Sequence, residues 1–292
     1  MSERLVLRAG ALELTLLPER GGSIARFDML RGDQRRPLMR GTDMDRPHIL
    51  DVASFPLVPY CNRIRDGIFR CDDRTVRLAP NMPPDRSPLH GQGWLAAWVL
   101  ASHGAASAQL SYHHTAGEWP WTYEATQTIE LDPEGLSLRL ACRNLSDTPM
   151  PCGLGLHPYF PCDADTLLDT QVDCAWTIDE DVLPVERVPA TGEFDLRERR
   201  VCGQDLDNGF GSWEGSARIA WRDGVQLAFS SADAAYFQVY SPREGGLFVA
   251  EPVQHANAAL NAPQSEWEGL GIHLLAPKEE RELRVRFDVS GA

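Results

Sequence analysis

The clearest structural signal in the chain lies in the run Thr122-Tyr-Glu-Ala-Thr-Gln-Thr-Ile-Glu-Leu-Asp-Pro-Glu-Gly-Leu-Ser-Leu-Arg-Leu140. In its second half Leu136, Leu138 and Leu140 alternate with polar residues, which is the period of a β-strand that buries one face. Between the halves, Leu131-Asp-Pro-Glu-Gly135 places proline and glycine where a tight turn needs them. The run therefore predicts a β-hairpin.

The same alternation recurs towards both ends of the chain, in residues 12–16 and 283–289, and each segment is expected to bury one face. Further strands are expected near 217–221, 226–230 and 236–240. No window of about 12 residues keeps a helical period, and no repeat of roughly 20 to 50 residues is present. The pattern predicts an all-β fold, a large and mostly antiparallel β-sandwich.

Length and composition favour one domain over residues 1–292. Of the 292 residues 43% are hydrophobic and 24% charged, which suits a globular protein with a sizeable core. The 24 glycines and 21 prolines are spread in short turn-like clusters, and no linker divides the chain. Long loops are expected at 31–60, 78–94, 157–170 and 251–268, and these loops are where a functional site is sought.

The charge balance argues against nucleic-acid and membrane-surface partners. The chain has 42 acidic and 28 basic residues, a net charge of −14, which repels nucleic acid and anionic membrane surfaces. Neutral small molecules such as sugars remain possible ligands. Lys278 is the only lysine, which argues against Schiff-base chemistry and a lysine-dependent phosphate loop.

Cysteine and histidine usage argues against disulfides and metals. The seven cysteines are odd in number and include no C-x-x-C pair, so they are expected to be reduced thiols. No apolar run resembles a signal peptide or a membrane span, which predicts a cytoplasmic protein. No H-x-x-x-H or H-x-H pair occurs, and His113 and His114 should point to opposite faces of a strand, so no metal site is expected.

Two segments place a basic or imidazole side chain among small and aromatic residues. Arg63 lies in Pro59-Tyr-Cys-Asn-Arg-Ile-Arg-Asp-Gly-Ile-Phe69, where a guanidinium can bind hydroxyls, although a surface arginine paired with an acid is the alternative. His90 lies in Ser87-Pro-Leu-His-Gly-Gln-Gly-Trp94, where small residues would let a ligand approach. The alternative for His90 is a purely structural loop.

Three more residues could carry acid–base chemistry. His157 precedes Pro158 and two aromatics, so it is either a titrating group or a core histidine bound to a carbonyl. Glu251 follows an apolar strand, where burial could raise its pKa, or it could be a structural glutamate that accepts backbone N–H bonds. Asp207, followed by Asn-Gly, is typical of an ordinary turn.

Taken in order, six short segments resemble the aldose 1-epimerase (galactose mutarotase) family over nearly the whole chain. They are Asn62-Arg63-Ile64, Leu89-His90-Gly91, His157-Pro-Tyr-Phe160, Leu206-Asp-Asn-Gly-Phe210, Glu251-Pro252 and Leu275-Ala-Pro277. The resemblance implies the galactose mutarotase-like supersandwich, a cleft that binds a sugar, and no cofactor.

By position, the resemblance implies that Glu251 is the general base for the anomeric hydroxyl and His157 the general acid for the ring oxygen. His90 and Arg63 would hold the ring oxygen and its neighbouring hydroxyls, and Asp207 would accept hydrogen bonds from sugar hydroxyls. The implied activity is interconversion of α and β anomers of a free aldose through ring opening and reclosure.

The sequence departs from the family pattern at two points, and other functions stay open. Leu156 stands where galactose mutarotases usually carry asparagine, and the Asp207 segment differs from Tyr-Asp-His-Asn-Phe, so galactose is one candidate among free aldoses. The alternatives are a non-catalytic sugar-binding or sensing protein on the same fold, a hexose-phosphate mutarotase, and a glycoside hydrolase. The last needs two carboxylates, and only one lies in a convincing motif.

Overall fold

A computed structural model describes residues 4–44 and 48–291, and these form 25 β-strands. The first are β1 (Leu5–Ala9), β2 (Leu12–Leu17), β3 (Ser23–Arg31), β4 (Gln34–Pro37), β5 (Pro56–Leu57), β6 (Ile68–Cys71), β7 (Arg74–Arg77), β8 (Val99–His103) and β9 (Ser107–His114). There follow β10 (Tyr123–Asp132), β11 (Gly135–Asn144), β12 (Met150–Cys152), β13 (Gly155–Leu156), β14 (Tyr159–Pro161), β15 (Leu167–Thr170), β16 (Cys174–Ile178) and β17 (Pro184–Pro189). The last are β18 (Arg199–Arg200), β19 (Leu206–Gly211), β20 (Ser216–Ala220), β21 (Gln226–Ser230), β22 (Tyr236–Ser241), β23 (Leu247–Val253), β24 (His273–Leu275) and β25 (Glu280–Ser290).

The helical content of the described residues is limited to seven 3₁₀ turns. They are Ile49–Asp51, Arg65–Gly67, Gly93–Leu95, Gly192–Phe194, Ala259–Asn261, Gln264–Glu266 and Glu268–Leu270. None of the helices found in residues 4–44 and 48–291 has the length and apolar composition needed to cross a membrane.

Two large sheets dominate the fold. One has nine strands in the order β18-β15-β20-β21-β25-β11-β10-β9-β8, and the other follows the order β17-β16-β19-β22-β23-β13-β5, with β14 pairing to β23. The pairings in both are antiparallel. Strands β1 to β4 form a smaller sheet, and β6-β7 and β12-β24 form two pairs. The all-β, antiparallel fold predicted from the sequence is confirmed.

The predicted hairpin is strands β10 and β11, in register from Tyr123 opposite Asn144 to Asp132 opposite Gly135. The turn is closed by the Asp132 carboxylate, whose Oδ1 accepts hydrogen bonds from the backbone N–H of Glu134 (2.8 Å) and Gly135 (2.9 Å). The other predicted strands appear as β2, β20, β21, β22 and β25.

Strand β2 differs from the prediction in one respect. All six of its residues are buried, the polar Glu13 included, so both faces are covered. Glu13 is accommodated because its carboxylate pairs with Arg8 at 2.7 Å and also with Arg35.

The two large sheets pack face to face through aromatic side chains. The ring of Phe229 on β21 lies 5.9 Å from that of Phe160 on β14 and 6.1 Å from that of Phe237 on β22, measured between centroids. It also lies 5.5 Å from Phe287 on β25. Contacts therefore cross from the nine-stranded sheet to the eight-stranded sheet, which makes this a sandwich.

Strand β23 carries residues of both faces of the eight-stranded sheet. Phe248 and Ala250 belong to the main core, whereas Val249 and Val253 belong to a second, smaller apolar cluster on the other face. Because successive side chains alternate, Glu251 shares the face of Val249 and Val253. The Glu251 carboxyl group thus lies on the outer face of the sheet.

Two expectations from the sequence are corrected here. The segments 31–60, 157–170 and 251–268 are not wholly loops, because they contain β4, β5, β14, β15 and the end of β23. Cys162 and Cys202 form a disulfide, so the expectation of seven reduced thiols is wrong. Folding brings together two cysteines 40 residues apart in sequence, which the sequence spacing does not reveal.

Candidate active site

A cavity of about 420 Å³ opens on the outer face of the eight-stranded sheet. Its walls include all five residues singled out from the sequence: Arg63, His90, His157, Asp207 and Glu251. They come from five separate parts of the chain, and the fold brings them together. The size is within the usual range for a small-molecule site.

Glu251 is a buried carboxyl group in the wall of this cavity. It is only 2% exposed, and no group among the described residues donates a hydrogen bond to its Oε2. Burial, assisted by the negative charge of Asp207 and opposed by Arg63, raises the pKa of Glu251 well above its usual range. A structural glutamate held by backbone N–H groups, the alternative from the sequence, would have satisfied both oxygens.

His157 lies between β13 and β14 and faces Glu251. Its Nε2 is 3.3 Å from Oε1 of Glu251, and its backbone N–H donates to the Phe55 carbonyl at 3.0 Å. The imidazole stacks on the Phe55 ring at a centroid distance of 4.5 Å and tilts against Tyr159 at 4.7 Å. Burial lowers the pKa of His157 to about 3. Burial therefore favours the neutral forms of both groups, with a proton on Glu251 and an uncharged imidazole on His157.

His90 is oriented by a neighbouring loop that runs against its own. The backbone N–H of Asn62 donates to Nδ1 of His90 at 3.2 Å, and the backbone N–H of His90 donates to the Asn62 carbonyl at 3.0 Å. Burial lowers the pKa of His90 well below its usual range, so the ring is neutral. Because Nδ1 accepts, the ring proton is on Nε2, and this N–H is the group that His90 offers to a ligand.

The glycine after His90 is required by geometry. Gly91 has φ of +73°, and a Cβ atom there would lie 2.0 Å from the Val58 carbonyl oxygen. Only glycine lets these two backbone segments approach so closely. The glycine of the Leu89-His90-Gly91 segment is thus required by the local backbone structure, and His90 lines the cavity.

Arg63 forms an ion pair with an acid, which is the alternative predicted for it from the sequence. Its Nε donates to Oδ2 of Asp85 at 2.8 Å, and both side chains are mostly buried. Its backbone N–H donates to Oδ1 of Asn257 at 3.1 Å. The ion pair does not remove Arg63 from the cavity wall; it fixes where the guanidinium lies.

Asp207 is on strand β19 and not in a turn, so the turn suggested by Asp-Asn-Gly is wrong. Its Oδ1 accepts a hydrogen bond from Nε2 of Gln238 on β22 at 2.9 Å. Burial raises the pKa of Asp207. Gln238 is itself 2% exposed and is paired in register with Glu251 across β22 and β23. It therefore lies between the two carboxyl groups.

Gln238, Arg40 and Phe55 support the site but were not predicted from the sequence. The Arg40 guanidinium lies 3.7 Å above the Tyr159 ring and donates to the Val52 carbonyl at 2.8 Å, so it supports the aromatic that packs on His157. The alternating pattern of β22 could have pointed to Gln238, because this polar residue lies between the core residues Phe237 and Val239. No sequence signal distinguishes Arg40 or Phe55 from other loop residues.

The tryptophans Trp94, Trp119 and Trp121 divide between the core and the cavity. Trp119 and Trp121 are buried in the main core, with ring centroids 5.1 Å apart. Trp94 lies in the cavity wall, and it stacks on Phe55 at 5.2 Å. Among residues 4–44 and 48–291, no three histidine, cysteine or acidic side chains are grouped so as to hold a metal ion.

The fold and the cleft define a class: a large antiparallel β-sandwich whose outer face holds a buried imidazole against a buried carboxyl group. A family model for aldose 1-epimerase matches residues 3–288. The chain belongs to the aldose 1-epimerase family.

Three proteins illustrate the similarity of the chain to others over most of its length. The chain is 32% identical over 253 residues to the uncharacterized protein YphB of Escherichia coli K12, covering 81% of this chain and 85% of that one. It resembles the crystal structure of a candidate aldose 1-epimerase from Escherichia coli K12, with a TM-score of 0.89, 28% identity and 99% of each chain covered. A galactose mutarotase-like protein from Clostridium acetobutylicum shares the fold, with a TM-score of 0.87, 18% identity and coverage of 98% and 95%.

Proposed function

We propose that the protein is an aldose 1-epimerase that interconverts the α and β anomers of a free aldose. The supporting observation is the 3.3 Å separation between Nε2 of His157 and Oε1 of Glu251. Mutarotation removes a proton from the anomeric hydroxyl and adds one to the ring oxygen, and both oxygens are bonded to the same carbon. An acid and a base that serve these two oxygens must lie side by side, as this pair does.

Ring opening would use Glu251 as the carboxylate base and His157 as the imidazolium acid. Glu251 takes the proton of the anomeric hydroxyl, His157 protonates the ring oxygen, and the bond between C1 and that oxygen breaks to give the open-chain aldehyde. Rotation about the C1–C2 bond exposes the other face of the aldehyde. Reclosure with both proton transfers reversed gives the other anomer.

His157 and Glu251 together hold the same number of protons before and after ring opening, because His157 gives up one proton and Glu251 takes up one. The pair passes from carboxylate plus imidazolium to carboxylic acid plus imidazole, so the net charge of the buried site does not change. Burial favours the state with a carboxylic acid and a neutral imidazole. The state with a carboxylate and an imidazolium is supported by Arg63, whose positive charge lowers the pKa of Glu251.

A free aldose suits the cleft better than a phosphorylated one. Arg63 is already paired with Asp85, and Arg40 already donates to backbone carbonyls of the 50–52 turn. The buried carboxyl groups of Asp207 and Glu251 further disfavour a dianionic phosphate. Carboxyl, amide and imidazole groups are instead the partners that sugar hydroxyls need.

The test is polarimetry of freshly dissolved α-D-glucose and α-D-galactose, with and without protein. We expect the wild type to accelerate the decay of optical rotation, and Glu251→Gln to lower the rate by at least about a hundredfold, since general acid–base help contributes roughly 10² to 10⁴. Binding of the sugar to Glu251→Gln, measured by titration calorimetry, should persist because the amide keeps the shape of the side chain.

The same experiment separates the enzyme from a sensor. Binding by the wild type without accelerated mutarotation of any aldose in a panel of hexoses, pentoses and deoxysugars would replace this proposal with the sugar-sensing function. Unchanged turnover in Glu251→Gln would remove Glu251 from the mechanism.

A further inference from the structure

The disulfide between Cys162 and Cys202 joins two segments that lead into walls of the proposed active site. Cys162 directly follows β14, and Tyr159 at the start of that strand packs on His157 and lines the cavity. Cys202 lies just before β19, the strand that carries the cavity residue Asp207. One covalent bond therefore ties together two elements that contribute to the site.

The same disulfide contacts the turn between β22 and β23. The backbone N–H of Cys162 donates to the Gly246 carbonyl at 3.1 Å, and the backbone N–H of Gly246 donates to Sγ of Cys202 at 3.3 Å. Gly246 directly precedes Leu247, which begins β23 and lines the cavity. Three segments thus meet at the disulfide, and each is continuous with a strand that carries a wall residue.

Cys162 and Cys202 are also the cysteines that a solute can reach. Both are half-buried in the folded protein. The other five cysteines are buried: Cys61, Cys71, Cys142, Cys152 and Cys174. Because thiol reagents act on accessible sulfur, thiol chemistry on the folded chain is directed at the disulfide.

The segment that contains Cys202 has a second attachment. The Ser241 hydroxyl on β22 donates to the Val201 carbonyl at 2.5 Å, and its oxygen accepts the backbone N–H of Gln204 at 3.1 Å. These bonds remain when the disulfide is opened. Opening is therefore expected to loosen the segment and its neighbours without separating it from the sheet.

The acid–base pair of the site is held by other contacts. Glu251 lies further along β23, in register with Gln238 on β22, and the backbone N–H of His157 donates to the Phe55 carbonyl at 3.0 Å. None of these contacts involves the disulfide. Opening it is therefore expected to disturb the wall at Leu247 more than the acid–base pair, and so to weaken sugar binding more than proton transfer.

We propose that the Cys162–Cys202 disulfide is a site of reversible thiol–disulfide exchange that controls how tightly the cavity binds a sugar. The reductant is a dithiol, and reoxidation restores the tighter state. The effect on catalysis rests on the proposed function, whereas the exchange itself does not.

The exchange takes place in two steps. A thiolate of the dithiol attacks Sγ of Cys162, the S–S bond breaks, and Cys202 leaves as a thiolate that the Gly246 N–H stabilises and that then takes up a proton. The second thiolate of the dithiol attacks the mixed disulfide, so that its own disulfide forms and Cys162 is released and protonated. The protein is reduced by two electrons, and the dithiol is oxidised by two.

The first experiment counts thiols in the folded protein before and after treatment with dithiothreitol, by alkylation and peptide mass spectrometry. We expect treatment without denaturant to expose two new thiols, at Cys162 and Cys202, while the five buried cysteines are alkylated more slowly. A disulfide that reacts only after the protein is unfolded would overturn the proposal.

The second experiment measures mutarotation by the oxidised and reduced protein, each corrected for the spontaneous rate in the same buffer. We expect reduction to raise KM at least about threefold and to change kcat less than about twofold, since the wall is disturbed more than the acid–base pair. Removal of the reductant and reoxidation should restore the original KM.

Two variants show whether the effect passes through this disulfide. The double variant Cys162→Ser, Cys202→Ser should have the higher KM with and without dithiothreitol. The control is Cys174→Ala, which removes a buried cysteine outside the disulfide and should keep the response of the wild type. A double variant that still responds to dithiothreitol would contradict the proposal.

Thermal unfolding separates regulation from simple stabilisation. Loss of a cross-link between residues 40 apart in sequence should lower Tm in either case, so kinetics are measured well below the Tm of the reduced protein. Equal KM values for the two states would overturn the proposal and leave a purely structural disulfide.

The failure of the proposed function has a different signature. Absence of mutarotation with every sugar in both states would overturn the epimerase activity. Titration calorimetry then tests the proposal directly, because a weaker affinity of the reduced protein for the sugar would support control of binding and an equal affinity would overturn it.

Discussion

Arg63 depends for its position on one carboxylate, that of Asp85. The 2.8 Å ion pair is mostly buried, and buried charge-assisted hydrogen bonds are stronger than exposed ones. Asp85 does not line the cavity that contains His157 and Glu251, so it acts through Arg63 as a positioning residue. Pairing of Arg63 with an acid was the structural alternative to a binding role in the sequence. In the structure this pairing helps to position Arg63 in the site.

We expect Asp85→Asn to lower kcat/KM for the aldose about tenfold, mainly by raising KM, because the guanidinium loses its charged partner and its fixed orientation. Steady-state polarimetry measures this. The control is Asp181→Asn, which removes a solvent-exposed ion pair with Arg86 (3.3 Å) and should leave both constants unchanged. Equal kinetics for Asp85→Asn and the wild type would show that Arg63 needs no such support.

At the scale of elements, the segment after β23 holds the loop that carries Arg63. Nε2 of His255 accepts the backbone N–H of Cys61 at 2.8 Å, and its Nδ1–H donates to the Ala256 carbonyl at 2.8 Å. Both ring nitrogens are engaged, so the neutral form of His255 is the one that fits. Burial lowers the pKa of His255 to about 4.

This histidine predicts a pH dependence of stability. Because the unfolded chain has a histidine pKa of about 6.5 and the folded chain about 4, the unfolded state binds the proton first as pH falls. The stability contributed by neutral His255 is complete above pH 6.5 and is lost as pH falls through 4. At most one proton is involved, about 1.4 kcal/mol per pH unit.

We expect His255→Gln to be less stable at pH 7 and to have a shallower pH profile than the wild type between pH 6.5 and 4.5. Urea unfolding at a series of pH values measures the free energy of unfolding for both proteins. Parallel profiles for the two would mean that His255 binds its proton equally in the folded and unfolded states.

The whole molecule is held by the contact between its two large sheets, and Phe229 is central to it. The side chain is 1% exposed and contacts aromatic rings on strands of both sheets. We expect Phe229→Ala to lower the free energy of unfolding by roughly 3 to 5 kcal/mol, since it removes buried area and leaves a cavity. Denaturant unfolding provides the measurement.

The comparison for this prediction is Val185→Ala on β17. Val185 is 66% exposed, so its truncation should change the free energy of unfolding by less than about 0.5 kcal/mol. A loss of similar size in both variants would contradict the central role of Phe229.

Local patterns in the sequence were sufficient for the fold class and for much of the site. Strand periodicity and turn chemistry act between residues close in sequence, so the hairpin Tyr123–Asn144 and the C-terminal strand could be predicted directly. The ordered motifs pointed to Arg63, His90, His157, Asp207 and Glu251, all of which line one cavity.

Only the tertiary structure decided how these groups interact. The contact of His157 with Glu251, the bond from Gln238 to Asp207 and the disulfide Cys162–Cys202 each join segments at least 31 residues apart in sequence. Such contacts depend on strand order and sheet packing, and no local pattern encodes them. The shifted pKa values of His157 and Glu251 follow from burial, which also arises only when the two sheets and their loops come together.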